Sequence, residues 1–209
     1  MSEFDTNVFV NCPLDDDYRQ LLITAIYTVK YLGYTPRLSL EKADSAETRI
    51  DKIVGLINES KFGIHDLSRM VSSDTNEPYR MNMPFELGID YGCIKFKSDR
   101  WSNKQILILE KEQYRYQIAL SDLAGCDIKS HDDDPIKLIK AVRDWFVNVK
   151  YQQADGAKKI WAEFNDFQTY LYDAVVVKDG HKNVDVVPIS EIIQHMSNWL
   201  SERHNKTNN

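Results

Sequence analysis

The chain has little cysteine, little glycine and no surplus of positive charge, and each shortage closes off a class of function. Three cysteines, Cys12, Cys93 and Cys126, lie far apart in 209 residues. No C-x-x-C pair and no Cys/His cluster of zinc spacing exists. So sparse and odd a count fits a reducing compartment better than a disulfide scaffold. The 8 glycines form neither G-x-G-x-x-G nor G-x-x-x-x-G-K-[ST], so neither standard phosphate-cradling loop is present. Lys and Arg number 26 against 32 Asp and Glu, a net charge of −6. Nothing global draws such a chain to nucleic acid or to an anionic membrane. There is no run of about 18 apolar residues, and the N-terminal residues carry neither a basic n-region nor an apolar h-region. A cytoplasmic protein is expected, with no membrane partner and no direct nucleic-acid partner.

A core is well provided for. Apolar residues make up 43% of the chain and charged residues 28%, a balance suited to a packed domain. Asn7 to Asn11 is a short apolar run closed by Cys12-Pro13, the pattern of a buried strand. Asp15 to Asp17 suit a helix N-terminus, and Leu22, Ala25, Ile26, Val29 and Leu32 follow at helical spacing until Gly33. Pro36 to Leu40 is a second strand candidate. Ser45 and Glu47 open a helix with Ile50, Ile53, Val54 and Ile57 on one face. Lys61 to Asp66 is a third strand, and a polar loop runs from Ser68 to Arg80. Pro84 suits the first turn of the next helix. Gln105 to Glu110 is the clearest central strand and Asp127 to Ser130 a short last one. Pro135 to Val149 is amphipathic, with Ile136, Ile139, Val142, Trp145 and Phe146 inward.

Strand and helix alternate, so the expected fold class is α/β: a flavodoxin-like, doubly wound parallel sheet in the order 2-1-3-4-5. The expected organisation is a domain over residues 1–150 and a helical C-terminal extension over 151–209. In the extension, Ala157 to Val175 and Ile189 to Arg203 are helical, with Lys178-Asp179-Gly180 as a turn between them. Trp161, Phe164, Tyr170 and Tyr172 offer more aromatic surface than one sheet face needs. A homo-oligomer using this region is expected, the alternative being that they only pack on the sheet domain.

Ligands of an open α/β sheet bind at the carboxyl ends of the strands, near the switch point. Here that brings together Asn11-Cys12-Pro13, Asp66-Leu67-Ser68 and Asn82-Met83-Pro84-Phe85-Glu86. Asp66 is either a turn former or a ligand contact, and Ser68 shares the ambiguity. Glu86 is either a capping carboxylate, with Asn82 or Met83 as N-cap, or a catalytic carboxylate facing the cleft. Cys12 is either a nucleophile or a small buried hydrophobe. His65 is expected to face the helix layer, because strand neighbours alternate faces. His131, followed by Asp132-Asp133-Asp134, is either part of a metal site or next to a solvated acidic cap of the helix at Pro135.

These three segments resemble the nucleoside 2-deoxyribosyltransferase and TIR-like group, a flavodoxin-like superfamily whose members cleave N-glycosidic bonds of nucleosides, nucleotides or NAD. The resemblance rests on Val8-Phe9-Val10-Asn11-Cys12-Pro13, on Gly63-Ile64-His65-Asp66-Leu67-Ser68 and on the E-L-G run Glu86-Leu87-Gly88, and it covers residues 7 to 150. It implies that Glu86 stabilises the oxocarbenium-like sugar or forms a glycosyl intermediate, while Asp66 holds the base or protonates the leaving group. Asn11, Asn82 and Asp90 would bond sugar hydroxyls, with Asp90 at i+4 from Glu86 on the same helix face. Cys12, Pro13 and Ser68 would line the substrate, and Arg37 or Arg80 would meet a phosphate. No metal or redox cofactor is required, and NAD would be a substrate. A place in bacterial anti-phage defence is the corresponding biological expectation. The alternative is a non-catalytic member that senses a nucleotide or assembles through its TIR-like face.

Overall fold

The computed structural model describes residues 2–41, 44–70, 81–150 and 152–207. Arg80 and most of the polar loop after Ser68 lie outside them. Five strands, β1 (Asn7–Asn11), β2 (Thr35–Arg37), β3 (Phe62–Asp66), β4 (Gln105–Glu110) and β5 (Lys129–Ser130), form one sheet in the order β2-β1-β3-β4-β5. All four pairings are parallel, with Val10 opposite Ile64 and Ile64 opposite Leu107. This is the flavodoxin-like arrangement expected from the sequence. Every residue of β1 and β3 is buried, as befits central parallel strands covered on both faces.

The helices are α1 (Glu3–Thr6), α2 (Arg19–Tyr31), α3 (Arg49–Glu59), α4 (Asn82–Phe96), α5 (Pro135–Lys150), α6 (Ala157–Tyr172) and α7 (Ile189–Thr207). Alternation along the strands sorts the layers. Val8, Val10, Phe62 and Ile64 share a core with α2 and α5, whereas Phe9 packs with Ile53, Leu56 and Ile57 of α3. α2 begins after a 3-10 turn at Asp16–Tyr18, where the Asp15 carboxylate accepts from Tyr18 N. It ends at Gly33, whose φ of 85° is the left-handed conformation that favours glycine.

Several local expectations shift. α3 starts at Arg49 rather than near Ser45, because Thr48 supplies the cap by accepting from Asp51 N. Its Ile50 and Val54 are exposed, and Leu56 takes their place inside. β2 is Thr35–Arg37 rather than 36–40, and β5 is two residues long. In α5, Ile136 is exposed and Leu138 is buried instead. The crossover from β4 to β5 holds two 3-10 turns, Arg115–Ile118 and Ser121–Leu123, where a doubly wound fold ordinarily has a helix. Beneath it lies a largely apolar cavity of about 560 Å³, lined in part by Leu87, Tyr91, Ile106, Ile108, Leu120 and Leu123.

The C-terminal helices share the core of the sheet domain. Phe164 and Phe167 are fully buried, with ring centroids 5.0 and 5.4 Å from Tyr27 of α2. Trp161 and Tyr170 pack against the same cluster, and Tyr172 stays exposed. The aromatic surplus that suggested self-association is therefore largely consumed inside the chain. α6 continues as a π-helical stretch, Asp173–Lys178, and turns at Gly180 with φ 78°. No helix among the described residues is long and apolar enough to cross a membrane. Since the two regions share one core, Phe167→Ala is expected to destabilise the whole chain by about 3–5 kcal/mol. Urea unfolding followed by both circular dichroism and tryptophan fluorescence should show one coincident transition.

Candidate functional site

The switch-point segments do converge. Asn11 Nδ2 at the end of β1 donates to the Met83 carbonyl in the first turn of α4 (3.2 Å) and to His65 Nδ1 of β3 (3.0 Å). Its Oδ1 is buried with no described partner. Cys12 and Pro13 follow, both buried. Burial pushes the Cys12 thiol well up, and the negative charge of Asp66 adds to this. Cys12 packs in the core shared with α2 and α5, the placement of a small buried hydrophobe.

On the α2/α5 side, Asp66 is fully buried at the end of β3. Its carboxylate accepts from Tyr18 Oη, from Ser68 Oγ, from Ser68 N (2.8 Å) and from His131 Nε2 (2.9 Å). Burial opposes the charge, but the His131 bond and charge, with Ser68 and Tyr18, hold the carboxyl below its ordinary value. That is the reverse of what a proton donor to a leaving group requires. His131 Nδ1 accepts from Asp133 N (3.1 Å), which puts the neutral ring's proton on Nε2, toward Asp66. Burial pulls His131 down, yet Asp66, with Asp133 and Glu110, carries it above its ordinary value.

The acidic run after His131 sorts into local roles. Asp134 caps α5 by accepting from Ile136 N (2.7 Å) and Lys137 N (3.2 Å). Asp132 and Asp133 pair with Lys137 and Lys111, each at 2.6 Å. Glu110, buried at the end of β4, accepts from Lys111 N and from Arg115, whose guanidinium also donates to the Ser68 carbonyl.

The α3/α4 side carries a second buried network. His65 Nε2 contacts Asp90 Oδ2 at 3.0 Å, and Lys104 Nζ lies 3.2 Å from Asp90 Oδ1. Lys104 also donates to the carbonyls of Ile57 (2.8 Å) and Ser60. His65 thus faces the helix layer as alternation required. Asp90, expected on sugar hydroxyls, is fully buried and tied to His65 and Lys104. Gly63 makes this approach possible, since a Cβ there would lie 2.4 Å from Asp90 Oδ2.

Glu86 lies one helical turn from Asp90, about 6 Å nearer the α4 N-terminus and the carboxyl edge of the sheet. α4 begins at Asn82 without a side-chain cap. Glu86 is its fifth residue, past the capping positions, so the capping alternative does not describe it. It is only 4% exposed. Its one ionic partner among the described residues is Arg49, at 3.6 Å, whose own side chain is half exposed. Burial pushes the Glu86 carboxyl above its ordinary value, and Arg49 only partly offsets this.

The remaining expected site residues divide. Asn82 is exposed in the first turn of α4. Ser68 is buried and spent on Asp66 and His131. Arg37 pairs with Glu41 (2.9 Å) and Glu59 (3.2 Å), so a phosphate there would compete with two carboxylates. Arg80 lies outside the described residues. Sequence reasoning did not find Tyr18, Lys104 or Arg115, and it gave His131 no link to Asp66. Alternation along β3, which placed His65 toward the helices, also puts Asp66 on the opposite face, toward α2 and α5.

The Asp66–His131 pair makes stability depend on pH in a definite direction. A lowered Asp66 contributes above about 3.8, its ordinary value, and that contribution is lost as pH falls through its folded value. A raised His131 contributes fully below about 6.5, and that contribution is lost as pH rises through its folded value. Urea midpoints should therefore decline as pH rises above neutrality, and His131→Gln should flatten that decline. Gly63→Ala should cost about 1–3 kcal/mol by crowding Asp90 and His65, measured by the same denaturation.

Comparison of the chain with protein families, with curated proteins and with solved structures returned no match.

Proposed function

We propose that this protein cleaves or transfers the N-glycosidic bond of NAD, a nucleoside or a nucleotide, with Glu86 as the carboxylate facing the sugar. One contrast carries the proposal. Four buried carboxylates lie around the switch point, and three are committed: Asp66 to Tyr18, Ser68 and His131, Asp90 to His65 and Lys104, and Glu110 to Lys111 N and Arg115. Among the described residues, Glu86 is the one of the four whose sole partner is a half-exposed guanidinium. A buried carboxylate with its bonding capacity unspent is costly to stability and useful to chemistry. The E-L-G run at Glu86 and the resemblance built on it point the same way.

Leaving-base departure builds positive charge on the anomeric carbon. An ionised Glu86 beside it stabilises that charge or captures the sugar as a glycosyl ester, which water or a second base then resolves. Asn82 and the free Oδ1 of Asn11 suit sugar hydroxyls. Asp66 serves as a fixed anchor for the loop at Ser68 rather than as the acid. No metal or redox cofactor enters, and NAD is a substrate if used. The nucleotide partner and a place in anti-phage defence belong to this same proposal.

Purified protein incubated with NAD and a panel of nucleosides and nucleotides should release free base, detected by chromatography. Glu86→Gln should lower the rate at least a hundredfold, about 3 kcal/mol of transition-state stabilisation. Its Tm should stay equal or rise, because burial disfavours the charge removed. Since the ionised form acts, activity should rise with pH through a Glu86 value above 4.5 and then level off. A Gln variant that turns substrate over at the wild-type rate removes Glu86 from catalysis. Absence of any base release favours the nucleotide-sensing alternative.

A further inference from the structure

A second constellation of donors lies in the C-terminal helical region, in none of the networks at the switch point. The ligand atoms of Asp179, Glu191 and His195 lie within 4.8 Å of one another. Glu191 and His195 stand at i and i+4 of α7, on one helix face. Asp179 comes from the turn that ends the π-helical stretch. That turn is pinned by Asp179 N to the Ala174 carbonyl (3.1 Å) and by His181 N to the Val175 carbonyl (2.9 Å). His181 Nε2 lies 3.8 Å from Glu191 Oε1, outside the group of three.

Two further observations point to a missing partner. His195 Nδ1 is buried with no hydrogen-bond partner, while its ring packs edge-on to Tyr170 at 6.1 Å. Asp179 and Glu191 bring two carboxylates together, and no Lys or Arg among the described residues forms an ion pair with either. Packing accounts for the imidazole ring. It does not account for two adjacent carboxylates whose nearest cationic group among the described residues is the His181 imidazole, 3.8 Å from Glu191.

We propose that Asp179, Glu191 and His195 bind a divalent transition-metal ion of the zinc type. The donor set selects the metal class. One imidazole and two carboxylates, with a water as fourth ligand, suit a four-coordinate borderline ion, whereas Mg²⁺ and Ca²⁺ favour six or more oxygen ligands. Bonds of about 2.0–2.2 Å require the donor atoms to close to roughly 3.3 Å of one another. Asp179 is exposed and Glu191 and His195 are half-exposed, so rotamer changes at the surface suffice. The bound ion would tie the turn after the π-helical stretch to α7.

The test is calorimetric titration of the chelator-stripped full chain with zinc chloride, beside magnesium chloride. The expected result is one zinc per chain, at least tenfold weaker in His195→Ala and in Asp179→Asn, with no comparable magnesium binding. Cobalt(II) should give the intense visible absorption of a four-coordinate site in wild type and lose it in both variants. Asp179 is at the surface, so its variant keeps the fold and the comparison holds even if His195→Ala is impaired. Zinc binding equally tight in wild type and Asp179→Asn overturns the proposal. So does the absence of zinc binding, or magnesium binding as tight as zinc.

Discussion

A carboxylate taken wholly out of water must be met on every side, and Asp66 imposes that demand at the centre of this fold. Its partners come from distant stretches: Tyr18 just before α2, Ser68 after β3 and His131 before α5. Meeting the charge fixes where two helices begin and where the third strand ends. Breaking such a pair leaves an uncompensated buried charge, which costs far more than the pair itself contributes. The Arg115 bridge between Glu110 and the Ser68 carbonyl extends the same constraint to β4.

The other side of the sheet solves the same problem differently. There Asn11, His65, Asp90 and Lys104 form a chain that runs from β1 through β3 to α4 and the start of β4. Each charge is matched, and Gly63 provides the clearance. Together the two networks hold the β1/β3 crevice rigid from both faces.

The parts of the fold legible in the sequence were those set by local pattern. β1, β3 and β4 are short apolar runs bounded by turn residues, and Gly33 marks the end of α2 because only a left-handed residue fits there. Where two local signals compete, the bond that forms decides between them. Ser45 and Glu47 look like a helix start, but Thr48 is the cap that bonds. The polar clusters were least legible. Tyr18 and His131 stand 48 and 65 residues from Asp66, and no periodicity links positions so far apart. Glu86 shows both sides of this. Its place beside the cleft followed from the strand order, but its burial and its pairing with Arg49, 37 residues away, carry no signature in local pattern.

The sheet's two outer strands have a consequence for how this chain meets others. β5 contributes only Lys129 and Ser130, and β2 is three residues long with Pro36, which has no N–H to donate, at its centre. An open edge recruits foreign strands by offering a regular row of free donors and acceptors. Neither edge offers such a row. Amyloid-like stacking and edge-to-edge pairing therefore lack a template at the two edges of this sheet.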